Sequence, residues 1–158
     1  MSGPIPSTPD TAPADAAQPA MSALPGAERV VEAIMFTDIE GSVLLEQTLG
    51  TERYAGVLTR HGALFFQALE GVPTRTIEKH TGDGFMVRFS RPSDAVAVAL
   101  RFQWLLGRER WNTERPLRVR VGIHQGEILL LPSARDMPGS VGAPVNLAAR
   151  VMSMSQGG

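Results

Sequence analysis

The sequence predicts a mixed α/β (α+β) domain, and three observations carry that reading. A nearly continuous apolar run, Val30 to Ile39, has the character of a central strand buried on both faces. Two stretches, one after Gly50 and one after Pro92, repeat apolar residues at helical spacing. Short strand-like segments punctuated by glycine lie between and after them, the clearest being the pair around Thr81-Gly-Asp-Gly84.

Composition bounds the function. With 158 residues, 43% hydrophobic and 20% charged, the chain suits one globular domain. A net charge of −1 lacks the basic excess of phosphate-tracking surfaces, so a small-molecule substrate is expected and nucleic acid is not. The absence of cysteine excludes disulfides, thiolate metal sites and cysteine nucleophiles. No run reaches the roughly 18 apolar residues of a membrane span, and Met1-Ser-Gly-Pro-Ile-Pro6 has neither region of a secretory leader. The expected location is cytoplasmic.

Residues 1–27 hold half of the twelve prolines and almost no bulky apolar residues, so they read as a disordered tail, with Met21 a second candidate start. The domain is expected over 28–158. After the Val30–Ile39 strand, Gly41-Ser42 opens a helical region. Tyr54, Val57, Leu58, His61, Phe65, Ala68 and Leu69 then share one helix face, with His61 a partly buried packing residue. Thr74 to Lys79 and Phe85 to Phe89 read as strands joined at a turn whose tip carries Asp83. Pro92-Ser-Asp94 starts a helix burying Ala95, Val98, Ala99, Phe102, Leu105 and Leu106, with Trp104 and Trp111 read as packing residues. Leu117 to Ile123 alternates apolar residues with Arg118, Arg120 and Gly122, a strand with one face in the core. A hairpin or bend is expected near His124-Gln-Gly126 before Glu127 to Leu131. Pro132 to Gly142 reads as a loop, and Pro144 as the start of a last helix.

Three places could carry chemistry. Asp38 ends the buried strand, and the backbone amides of Ile39, Glu40, Gly41 and Ser42 open a helix, offering a carboxylate and a phosphate cradle together. The plainer reading has Asp38 or Ser42 capping that helix. Asp83 supplies a second carboxylate; two facing carboxylates suit a hard cation shared with phosphate oxygens. Strand alternation places Lys79 on one face with Ile77 and Thr81, unusual for an ammonium if that face is buried. Asn146 and Arg150 stand four apart, so on a helix their Cβ atoms lie roughly 6 Å apart on one face, one able to reach a sugar and the other a phosphate.

Taken in order, Phe36-Thr-Asp-Ile-Glu-Gly-Ser42, Glu78-Lys-His-Thr-Gly-Asp-Gly84, Arg118-Val-Arg-Val-Gly-Ile-His-Gln-Gly126 and Gly142-Ala-Pro-Val-Asn-Leu-Ala-Ala-Arg150 strongly resemble the class III nucleotidyl cyclase catalytic domain. The resemblance covers about residues 30–158 and implies a ferredoxin-like core that forms a head-to-tail homodimer. It implies conversion of a nucleoside triphosphate to its 3′,5′-cyclic monophosphate and pyrophosphate in intracellular signalling. Asp38 and Asp83, aided by the Ile39 carbonyl, would hold two Mg²⁺ or Mn²⁺ ions. Lys79 matches a base-contacting position where lysine goes with adenine and glutamate with guanine, which points to ATP. Asn146 would orient the ribose and Arg150 would stabilise the transition state, both, like Lys79, from the protomer opposite the metal aspartates.

Two positions depart from the family. The second base-selecting position falls on Gly139, unless a three-residue shift brings Asp136 into the role. The end at Gln156-Gly-Gly158 stops short of the family's last strands and a further basic phosphate ligand, so an incomplete C-terminus is expected. Alternatives to an adenylate cyclase are a guanylate cyclase, a catalytically inactive cyclase-like nucleotide-binding or dimerisation module, and another Mg²⁺-dependent nucleotidyl transferase.

Overall fold

Five strands and four helices follow in the order β1 (Glu28–Ile39), α1 (Ser42–Leu49), α2 (Thr51–Ala68), β2 (Arg75–His80), β3 (Gly84–Phe89), α3 (Pro92–Arg108), β4 (Val119–Ala134), β5 (Met137–Val141) and α4 (Ala143–Met154). The computed structural model of the protein describes residues 26–134 and 137–158. The expected tail lies almost wholly outside these residues, as does Asp136.

The strands form one antiparallel sheet in the order β2-β3-β1-β4-β5. Its first four strands, with the intervening helices, have the split βαβ arrangement of a ferredoxin-like core. The expected central strand is β1, paired with β3 on one side and β4 on the other, and its Ala33, Ile34 and Met35 are fully buried.

One face of the sheet carries the larger core, in which Met35, Ile39, Phe85, Val87, Phe89 and Val119 meet Phe65 of α2 and Phe102 of α3. Phe65 stacks on Phe85 with ring centres 3.9 Å apart. His61 belongs to this core outright: it is wholly buried between Phe85 and Phe102, and neither ring nitrogen has a partner among the described residues. On the opposite face a smaller core joins Ile34, Met86 and Ile128 to Ala148 of α4.

Three expectations need correction. There is no hairpin or bend at His124–Gly126: β4 runs unbroken, in register with β1 from Glu28 opposite Leu130 to Ile39 opposite Val119. Gly122 and Gly126 serve α4 instead. A Cβ at 122 would collide with the Met152 amide and the Ala148 carbonyl, and one at 126 with the Pro144 ring, so both glycines let the helix lie flush on the strand. The expected loop 132–142 is largely strand, because proline and glycine are tolerated in an edge strand such as β5. Trp104 is no packing residue: it is 58% exposed, with the Arg108 guanidinium 4.8 Å above its ring. Trp111 is partly buried against the larger core and donates to the Leu106 carbonyl.

Candidate functional site

Asp38 and Asp83 come together at one end of β1. Asp38 lies opposite Gly84 in the β1–β3 register, and the Ile39 amide donates to the Asp83 carbonyl at 3.1 Å. The approach is close because residue 84 is glycine; a Cβ there would strike the Thr37 carbonyl oxygen. Thr37 Oγ1 accepts from the Phe85 amide at 3.1 Å, and Thr81 Oγ1 donates to Asp83 Oδ1 at 3.3 Å, so both the strand end and the turn are fixed.

Arg120, directly across from Asp38 in the β1–β4 register, donates through Nη2 to Asp38 Oδ2. Both side chains are partly buried, which makes the pair stronger than a solvent-exposed one. Sequence reading assigned Arg120 to an open strand face and missed it. The signal was Gly122 and Gly126, whose missing side chains mark that face as covered by a helix. Tyr54 was read only as packing, yet it stands beside the site: burial pushes its phenol pKa up, the Asp83 charge adds to this, and Ser42 opposes it.

The donor set is two carboxylates, and among the described residues no group of three or more His, Cys, Asp or Glu side chains gathers to hold a metal. Two carboxylates with carbonyl oxygens fit a hard divalent cation that keeps water and takes its remaining ligands from a phosphorylated substrate. A closed structural cage is excluded among these residues.

The expected amide cradle is smaller than four residues. The Ile39 amide is spent on Asp83 and the Glu40 amide on the Arg118 carbonyl at 2.9 Å, whereas α1 begins after Gly41, at φ 70°, with no side-chain cap. Neither Asp38 nor Ser42 therefore caps the helix, and among the described residues no side chain caps its N-terminus. The Glu40 carboxylate accepts from the Gly157 amide.

Lys79 does not share a face with Ile77. A bulge at Glu78 shifts the register, so Ile77 pairs with Val87 on the face carrying the larger core while Lys79 pairs with Met86 on the opposite face. Asn146 and Arg150 are exposed on α4, one turn apart, as their spacing predicts. The described residues contain no ion pair of Lys79 or Arg150. The chain brings the two aspartates together; among the described residues no hydrogen bond or ion pair joins them to Lys79, Asn146 or Arg150.

Residues 27–158 match the family described as the adenylate and guanylate cyclase catalytic domain. An uncharacterized protein of Mycobacterium tuberculosis is 30% identical over 101 residues, 64% of this chain, and the chain spans 28% of that relative. The adenylate cyclase of Lachancea kluyveri is 31% identical over 152 residues, 80% of this chain and 8% of the enzyme. Among solved structures, the guanylyl cyclase Cya2 superposes with a TM-score of 0.73 at 27% identity, covering 84% of this chain and 74% of that one. A bacterial light-regulated adenylyl cyclase superposes at 0.71 and 20% identity, over 80% and 71% of the two chains, a likeness of fold.

Proposed function

The chain belongs to the adenylate and guanylate cyclase catalytic domain family, and from that membership we propose that it converts ATP to 3′,5′-cyclic AMP and pyrophosphate in a site shared by two copies. The observation that carries the reading is the juxtaposition of Asp38 and Asp83 beside the uncapped start of α1. Carboxylates and free amides are what a triphosphate with its cations requires. A divalent cation held there would supply the charge that acidifies the ribose 3′-hydroxyl and offsets charge on the α-phosphate. Arg120 pairs with Asp38 and would turn to a phosphate oxygen once Asp38 engages a cation.

Lys79 supports adenine. Its ammonium can donate to the N1 acceptor of adenine but not usefully to the N1–H of guanine, and the bulge presents it on the face of the sheet opposite the helices α2 and α3. Asn146 would fix the ribose and Arg150 would meet the charge that grows as pyrophosphate leaves. Both are exposed beside an apolar stripe, Leu147, Val151 and Met154, which suits docking of a second copy so that these residues serve the partner's aspartates. The yield of cyclic nucleotide from ATP and from GTP, each with Mg²⁺ or Mn²⁺, tests the function. Cyclic AMP formed only with metal is expected; cyclic GMP as the main product overturns the role of Lys79, and no cyclic product overturns the enzyme.

A further inference from the structure

β2 and β5 are the opposite edges of the sheet and share no main-chain ladder, yet the sheet curls until their side chains meet. The Ser140 hydroxyl donates to Glu78 Oε2 at 2.8 Å, while Glu78 Oε1 accepts from Arg88 Nε. Arg88 is held in turn by Glu32 through Nη1, and Glu32 accepts from the Ser90 hydroxyl at 3.2 Å. The Glu78 and Arg88 side chains are only 4% and 8% exposed, so the pair at the centre of this network is largely desolvated, and both Glu78 oxygens are engaged.

The Ser140–Glu78 hydrogen bond adjoins the two positions expected to meet the base. Glu78 precedes Lys79, and Ser140 follows Gly139. Gly139 has no side chain, so anything it offers a base is main chain, and the place of that main chain depends on what anchors β5. Glu78 is also the carboxylate nearest in sequence to Lys79, and a carboxylate released there could accept from guanine N1–H. Arg88 and Ser140 occupy one oxygen each.

We propose that Ser140 is a specificity-positioning residue: its hydrogen bond to Glu78 latches β5 to β2, holding the Gly139 backbone in place for adenine and keeping the Glu78 carboxylate from guanine. The latch rests on the cyclase reading above. Removing the hydroxyl leaves β5 held by its ladder to β4 alone and frees one Glu78 oxygen, which should erode discrimination between the bases more than turnover.

The test compares Ser140→Ala and Ser140→Thr with the unsubstituted chain by kcat and KM for ATP and for GTP. Loss of one base-selecting hydrogen-bond arrangement should lower the ATP-to-GTP ratio of kcat/KM roughly fivefold or more in Ser140→Ala, mainly through a higher KM for ATP. Ser140→Thr keeps the hydroxyl and should keep the ratio. A Ser140→Ala variant that loses activity equally on both nucleotides, or loses none, overturns the latch while leaving the cyclase reading intact. An unsubstituted chain that makes no cyclic product from either nucleotide overturns that reading, and the latch with it.

Discussion

Arg120 and Asp38 face each other across the β1–β4 pair, and the guanidinium holds one oxygen of a carboxylate expected to hold a cation. The arrangement pairs Asp38 with a guanidinium when no cation is present, and it makes the cation compete with a fixed positive charge. Replacing Arg120 with glutamine should therefore tighten Mn²⁺ binding measured by calorimetry without nucleotide. A release of about 1 kcal/mol of repulsion corresponds to roughly fivefold. Unchanged or weaker Mn²⁺ binding would show that Asp38 is not a cation ligand.

Asp38→Asn and Asp83→Asn should each abolish cyclisation, by about 100-fold or more, because each removes a charged ligand from a site with only two. Asp38 lies near the end of β1 with its side chain partly exposed and Asp83 in the turn between β2 and β3, so the thermal midpoint should move by only a few degrees. Near-normal activity in either variant, measured by cyclic nucleotide yield, contradicts the two-carboxylate site.

Gly122→Ala places a methyl group against the Met152 amide and the Ala148 carbonyl, forcing α4 away from β4. Overpacking of this kind costs about 1–3 kcal/mol, read as a lower denaturation midpoint. Since Asn146 and Arg150 ride on α4, the fully folded variant should also lose turnover. A variant as stable and active as the unsubstituted chain would mean that α4 does not lie flush on β4.

His61 is wholly buried, and burial, reinforced by the nearby His80, lowers its pKa from 6.5 to about 4. Between those values the unfolded chain takes up a proton that the folded chain refuses, so stability is full above pH 6.5 and falls as pH drops towards 4. The loss attributable to His61 is about 3 kcal/mol across that window. His61→Phe should flatten the corresponding part of a plot of unfolding free energy against pH, leaving only the contribution of other groups. An unaltered slope would place His61 in contact with water.

Much of this was legible in the sequence. The apolar run of β1 and the helical spacing of Phe65 and Phe102 arise from burial on a regular period, which sequence records directly. Asp38 and Asp83 were legible for a related reason, since each sits where a strand gives way to glycine. Arg120 was not, because its partner lies across a register that no local pattern encodes. The face of Lys79 was misjudged because a bulge adds one residue and breaks alternation, and bulges leave no periodic trace. β5 was hidden because an edge strand tolerates the same proline and glycine that mark a loop.

The shared site is tested most directly by mixing. Asp38→Asn and Arg150→Ala should each be inactive alone, because each spoils both sites of a homodimer. Mixed in equal amounts and allowed to exchange, half of the dimers should carry one of each, with one intact site and one doubly damaged. Cyclic AMP production should then recover to about a quarter of that of the unsubstituted chain. If the mixture stays as inactive as its components while the unsubstituted chain is active, each copy uses its own Arg150, and the shared site is wrong.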